Sequence, residues 1–250
     1  MPDLKGKDII RRFEKARTER ANWENHWQEV ADLVLPTRDF ITEYSKGVVR
    51  RNRIYNDAAA AATDSLAAAL DGLLTNTAIR WFSLAPNEPT LVGNDEVESW
   101  LYDATTRMLA WFDSSASGFA VTAHESYLDL VAFGTAVVLM RESPAAITFQ
   151  ARQLSNFYMS ADETGDVREM FRRFEMTALE AAEQFGNALS GETLKMADDP
   201  KQYDQKIPFL HYIYRRSERQ PGRDDAPNKR WASQYVEMKQ KKVIAEGGFD

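Results

Sequence analysis

With 250 residues, the chain has room for one large domain or two modest ones. Apolar residues make up 44% and charged residues 28%, which is ordinary globular composition, and a net charge of −7 argues against wholesale wrapping of nucleic acid. The absence of cysteine excludes disulfide scaffolds, thiolate metal sites and cysteine nucleophiles.

The charge is uneven. Lys5, Lys7, Arg11, Arg12, Lys15, Arg17 and Arg20 crowd the first segment, and Lys46, Arg50, Arg51 and Arg53 form a second basic patch. Acidic residues dominate from Glu88 to Glu98 and around Asp198 and Asp199. Such patches are either solvated faces or edges that meet opposite charge on a neighbouring subunit.

From Asp8 to Leu35, apolar residues recur at Phe13, Ala16, Trp23, Trp27, Val30 and Val34, with Arg20 in the same stripe. Steps of three and four predict a long amphipathic helix, which Pro36 closes. Trp23 and Trp27 face the same way one turn apart, packing into the core or against an adjacent subunit. Residues 36–54 are polar and basic and read as a loop or short extended segment. The stretch "NDAAAAATDSLAAALDGLLTN" predicts a second helix, capped by Asn56 or Asp57, with Ala59, Ala62, Leu66, Leu70, Leu73 and Leu74 on its packing face. "IRWFSLAP", residues 79–86, reads as a short strand.

A third helix is expected from Asn94 to Phe112 and a fourth from near Ser117, ending where Gly134 breaks into the strand "TAVVLM". Beyond Pro144 the runs are strand-like, "DETGD" is a tight turn between two of them, and one helix interrupts them from Thr177. Thr177 and Glu180 have the spacing of a reciprocal capping box. The fold class is therefore α+β, a helical half followed by a mainly antiparallel strand-rich half. Val243, Ile244 and Phe249 imply a sheet or chain that continues past "EGGFD".

No motif for catalysis emerges. His26, His124 and His211 are far apart, and none has a second metal ligand at helical spacing. "HES", residues 124–126, lacks both the second histidine of a metalloprotease helix and the glycine-flanked serine of a hydrolase elbow. Carboxylates are many, but none is set in an apolar run that would raise its pKa. No catalytic, cofactor-binding or metal-binding residue is assigned, no cofactor is expected, and no apolar run approaches the roughly 20 residues of a membrane span. "KGVVRRNRIY", residues 46–55, is suited either to a phosphate backbone or to an acidic neighbour.

The ordered set "WENHWQEVADLVLP", "RIYNDAAAAATDSLAAALDGLLT", "WFSLAP", "HESYLDLVAFGTAVVLMRE" and "IPFLHYIYRR" resembles the head-to-tail connector, or portal, family of podovirus-type tailed phages. The resemblance covers nearly the whole chain. It implies a structural protein rather than an enzyme: a ring subunit, typically in a dodecamer, at one vertex of the capsid. Double-stranded DNA passes through such a ring during packaging by the terminase and again during ejection. The major capsid protein, the scaffold and the tail or adaptor proteins are the other implied partners, and no membrane is involved. The implied location is the portal vertex of the virion, and the host cytoplasm during assembly.

On this resemblance, residues 1–143 are the helical part of the wing and residues 144–250 its strand-rich part. Stem, clip and crown are expected C-terminal to residue 250. Trp23, Trp27, Arg50, Arg51 and Arg53 are the candidate subunit-packing residues, and no DNA-contacting residue is carried over. Two other readings compete: a phage virion or prophage adaptor or scaffold protein without a DNA channel, and a hydrolase built on His124 and neighbouring carboxylates.

Overall fold

The structure, a computed structural model, describes residues 4–36, 38, 40, 57–143, 146–220, 222–223 and 225–249. Two compact units are present, one formed by residues 1–24 and 155–250, the other by residues 25–154. The boundary falls inside the first helix, α1 (Gly6–Val34), which contributes to both. The change from helix to strand, between Phe133 and Val137, therefore does not coincide with the unit boundary.

The first unit is built on a five-stranded antiparallel meander: β3 (Phe157–Ala161), β4 (Val167–Thr177), β5 (Lys206–Arg215), β6 (Trp231–Glu237) and β7 (Lys242–Phe249). The register sets Phe171 opposite Tyr212 and Leu210 opposite Val236. These side chains share one face of the sheet, and Ile9, Phe13 and Ala16 of α1 cover it. The opposite face carries Phe209, Ile207 and Ile244 beneath α5 (Ala178–Phe185) and α6 (Gly191–Asp198). Both faces of central strand β5 are thus covered, which explains why "IPFLHYIY" is apolar almost without alternation.

Arg20 in the apolar stripe of α1 is not a break in it. Its guanidinium is buried, donates to the carbonyls of Phe157 and Ser155 and to Glu24, and lies 3.6 Å from the centre of the Tyr158 ring. Gly6, the first residue of α1, sits against the β6–β7 turn so closely that a Cβ there would overlap the carbonyl of Lys241.

The capping box at Thr177 and Glu180 forms as expected. One expectation falls here: two helices, not one, interrupt the strands. The second, α6, is short and polar, so it gives no apolar period to read. Ser190 caps it by accepting from the Thr193 amide. Buried Glu237 accepts from both the amide and the hydroxyl of Ser190 and from the Thr193 hydroxyl, which fixes this cap to β6.

The second unit contains the end of α1, then α2 (Ala58–Leu74), α3 (Asp95–Phe112), α4 (Phe119–Phe133) and the hairpin β1 (Val137–Ser143)–β2 (Ala146–Arg152). Ala31, Leu35, Phe133 and Leu154 form one core, with Trp27 and Phe40 packed against it. Trp81, Phe82, Phe112, Phe119 and Phe149 form an aromatic cluster, with Trp81 stacked parallel to Phe119.

Residues 79–86 are not a strand. They pair with no ladder: the Leu84 amide donates to Thr105 Oγ1, and Arg80 donates to Thr106 and lies over Tyr102. Their β-like composition reflects aromatic packing along α3. Asp57 stands at the N-cap position of α2 without a side-chain capping bond, and Asn56 lies outside the described residues. Gly134 ends α4 in the left-handed conformation with φ 72°, where glycine is favoured.

Candidate functional site

The two tryptophans part company. Trp27 is half-buried, its ring 5.4 Å from that of Phe40, whereas Trp23 is 57% exposed. Trp27 thus packs against the core of its unit, whereas the helix turns Trp23 toward solvent. Arg50, Arg51 and Arg53, with the rest of the 46–55 patch, lie outside the described residues.

His124 is half-exposed, with Nδ1 3.6 Å from Asp71. Ser126 nearby donates its hydroxyl to the Thr122 carbonyl at 2.6 Å, a helix-internal bond. Neither side chain is placed as a nucleophile or base against the other. Among the described residues no cluster of His, Asp or Glu has the arrangement of a metal site, and no helix is long and apolar enough to cross a membrane.

His211 is buried in the sheet, hydrogen-bonded to Ser233 Oγ at 2.8 Å and stacked on Tyr235. Burial, and then the charge of Arg172, push its pKa down to about 4. The fold thus favours the neutral ring, while the unfolded chain takes up the proton near pH 6.5. The contribution is complete above that pH and is lost as the pH falls toward 4, about 3 kcal/mol over the window. His211→Gln is expected to flatten urea-derived stability between these limits. An unchanged pH slope would contradict the assignment.

One carboxylate overturns the expectation that none sits in apolar surroundings. Asp129, in the middle of α4, is 2% exposed, and burial raises its pKa. Arg38, just past the end of α1, opposes that rise with a bidentate pair at 2.7 and 3.2 Å. The pair clamps the residues after α1 onto α4.

The surface feature that stands out is on α2. Its buried side consists of Thr63 and Ala67, with Leu70 half-buried, and α2 packs on α4. Of the face expected to pack, only Leu70 turns inward: Ala59, Ala62, Leu66, Leu73 and Leu74 are exposed, Leu73 by 77%, and Ala69, outside that expectation, extends the exposed stripe. A helix apolar on both sides belongs inside something larger. Two interleaved series of three- and four-residue steps were visible in the sequence, and the alanines in both made the wrong one easy to choose. Trp100, Tyr102, Val121 and Met140 are further exposed apolar side chains of the same unit.

Comparison with known proteins agrees. Residues 6–250 match the family described as bacteriophage head to tail connecting protein, and the chain belongs to that family. Two relatives carry portal names. The probable portal protein of Bordetella phage BPP-1 is 29% identical over 246 residues, covering 96% of this chain and 44% of that protein. The portal protein of Salmonella phage epsilon15 is 24% identical over 255 residues, covering 100% of this chain and 46% of that protein. The chain therefore spans less than half the length of either relative.

Proposed function

We propose that the chain forms the wing region of a portal subunit, residues 1–143 supplying its helical part and residues 144–250 its strand-rich part. The complete protein assembles into a closed ring, expected to be dodecameric, at one capsid vertex. The ring is the channel for genome packaging by the terminase and for ejection, and it is the attachment point of the tail. The major capsid protein and the scaffold would surround it during assembly in the host cytoplasm, and double-stranded DNA would pass through it. The role is structural.

Family membership and the two portal relatives support the portal role. The observation that carries the ring is the outward apolar stripe of α2, whose occupant is a neighbouring copy of this chain. A different surface of that copy receives it, as a head-to-tail ring requires. Trp23, which is exposed, and Arg50, Arg51 and Arg53 are proposed as further subunit-packing residues.

Charging the stripe tests this. Leu66→Glu with Leu73→Glu changes two exposed positions, so each monomer should keep its fold within about 0.5 kcal/mol per substitution. Native mass spectrometry of the full-length protein is expected to show loss of the ring, with far-UV circular dichroism unchanged. An intact ring would remove α2 from the interface.

A further inference from the structure

We propose that the cleft formed by Arg168, Arg215, Arg216, Arg219 and Arg230 at one end of the five-stranded sheet binds phosphate groups. Register brings these residues together. Arg168 is the second residue of β4, Arg215 closes β5 and pairs with Trp231 across the ladder, and Arg230 immediately precedes β6. The cleft has a volume of about 290 Å³, and among the described residues only Ser217 lines it besides these arginines, with no carboxylate.

The charges that matter are those of Arg215, Arg216 and Arg219, although Glu169 and Glu218 line the adjoining space that Arg168, Arg215 and Arg216 also border. Arg168 pairs with Asp162. Arg216 is held by neutral groups, donating to the carbonyls of Ala226, Lys229 and Gly247, which fixes its guanidinium without cancelling its charge. Gly248 permits this seat, since a Cβ there would lie 2.8 Å from Arg216 Nη1 and 2.5 Å from the Ala226 carbonyl. Arg215 and Arg219 are exposed and have no carboxylate partner among the described residues.

Gathering five guanidinium groups on a chain of net charge −7 costs repulsion that an anion would relieve. The residue type narrows the anion. The planar fork of arginine matches the paired oxygens of a phosphate, and here arginine is used throughout, with no lysine. Two sources supply that chemistry: the backbone of a nucleic acid and free phosphate. The inference does not depend on the ring.

The test uses the full-length protein and the double variant Arg215→Ala/Arg219→Ala, whose side chains hold nothing in the fold. A labelled DNA duplex is titrated by fluorescence anisotropy at several salt concentrations, and inorganic pyrophosphate is titrated separately by calorimetry. If the source is nucleic acid, the variant should bind duplex roughly tenfold more weakly or worse, with a salt dependence reduced by about two charges. If the source is free phosphate, pyrophosphate binding should be lost in the variant while duplex affinity stays the same. Unchanged affinity for both would overturn the proposal. So would a variant that alters only the oligomeric state, because the cleft would then be a contact for an acidic surface of another copy.

Discussion

Arg38→Ala should destabilise the protein by about 3–5 kcal/mol at neutral pH, the range found when one partner of a buried pair is removed. Asp129 is 2% exposed, and the change leaves its carboxylate buried without the Arg38 cation and with the like charge of Glu125 still acting on it. The group escapes part of the cost by taking up a proton, and burial already raises its pKa. The native state of the variant then binds more protons than the unfolded chain, so its stability should fall as the pH rises above about 4 toward the raised folded value. Chemical denaturation at pH 5 and pH 7 should therefore find the variant closer to the parent at pH 5. Replacing both partners, Arg38→Met with Asp129→Leu, should cost less than either single change, because no charge is left stranded. Equal costs at both pH values, or a double variant as damaged as the sum of its parts, would show that the pair is not what clamps this segment to α4.

The second large effect is expected at Arg20. Truncation to alanine strips the bonds from the carbonyls of Ser155 and Phe157, leaves Glu24 without its cation and empties the space over Tyr158. A loss of about 3–5 kcal/mol is expected, lowering the melting temperature by roughly 10 °C. Arg20→Lys should recover little, since one ammonium cannot reproduce a fork that serves two carbonyls while lying flat on an aromatic ring. Glu24→Gln, at a partly exposed position, should cost no more than about 1 kcal/mol. Thermal melts of the three variants check the order. If Arg20→Ala were as mild as Glu24→Gln, the attachment of α1 to the sheet would rest on Ile9, Phe13 and Ala16 and on Arg12, which donates to Glu169 and Tyr212.

Arg20 also shows what a sequence can and cannot disclose. The three-and-four spacing of α1 was legible from Phe13 onward, but one charged residue in the stripe looks like a defect until its carbonyl partners, 135 and 137 residues away, are in place. The capping box at Thr177 and the continuous apolar run of β5 were local signals, and both were readable. Asp129 was not, because its meaning depends on Arg38, 91 residues distant. In α2 the composition was clear and the orientation was not, since alanine satisfies a packed face and an exposed one equally. The arginine cleft is assembled wholly by strand register, so nothing in the spacing of Arg168, Arg215 and Arg230 announces it.

The most direct test of the central claim is imaging. Full-length protein at assembly concentration would be examined by negative-stain or cryogenic electron microscopy, with native mass spectrometry of the same sample to count subunits. A portal subunit should give closed rings, expected to be dodecameric, with a central hole wide enough for duplex DNA. A population of monomers and dimers alone, or oligomers with no central opening, would contradict it.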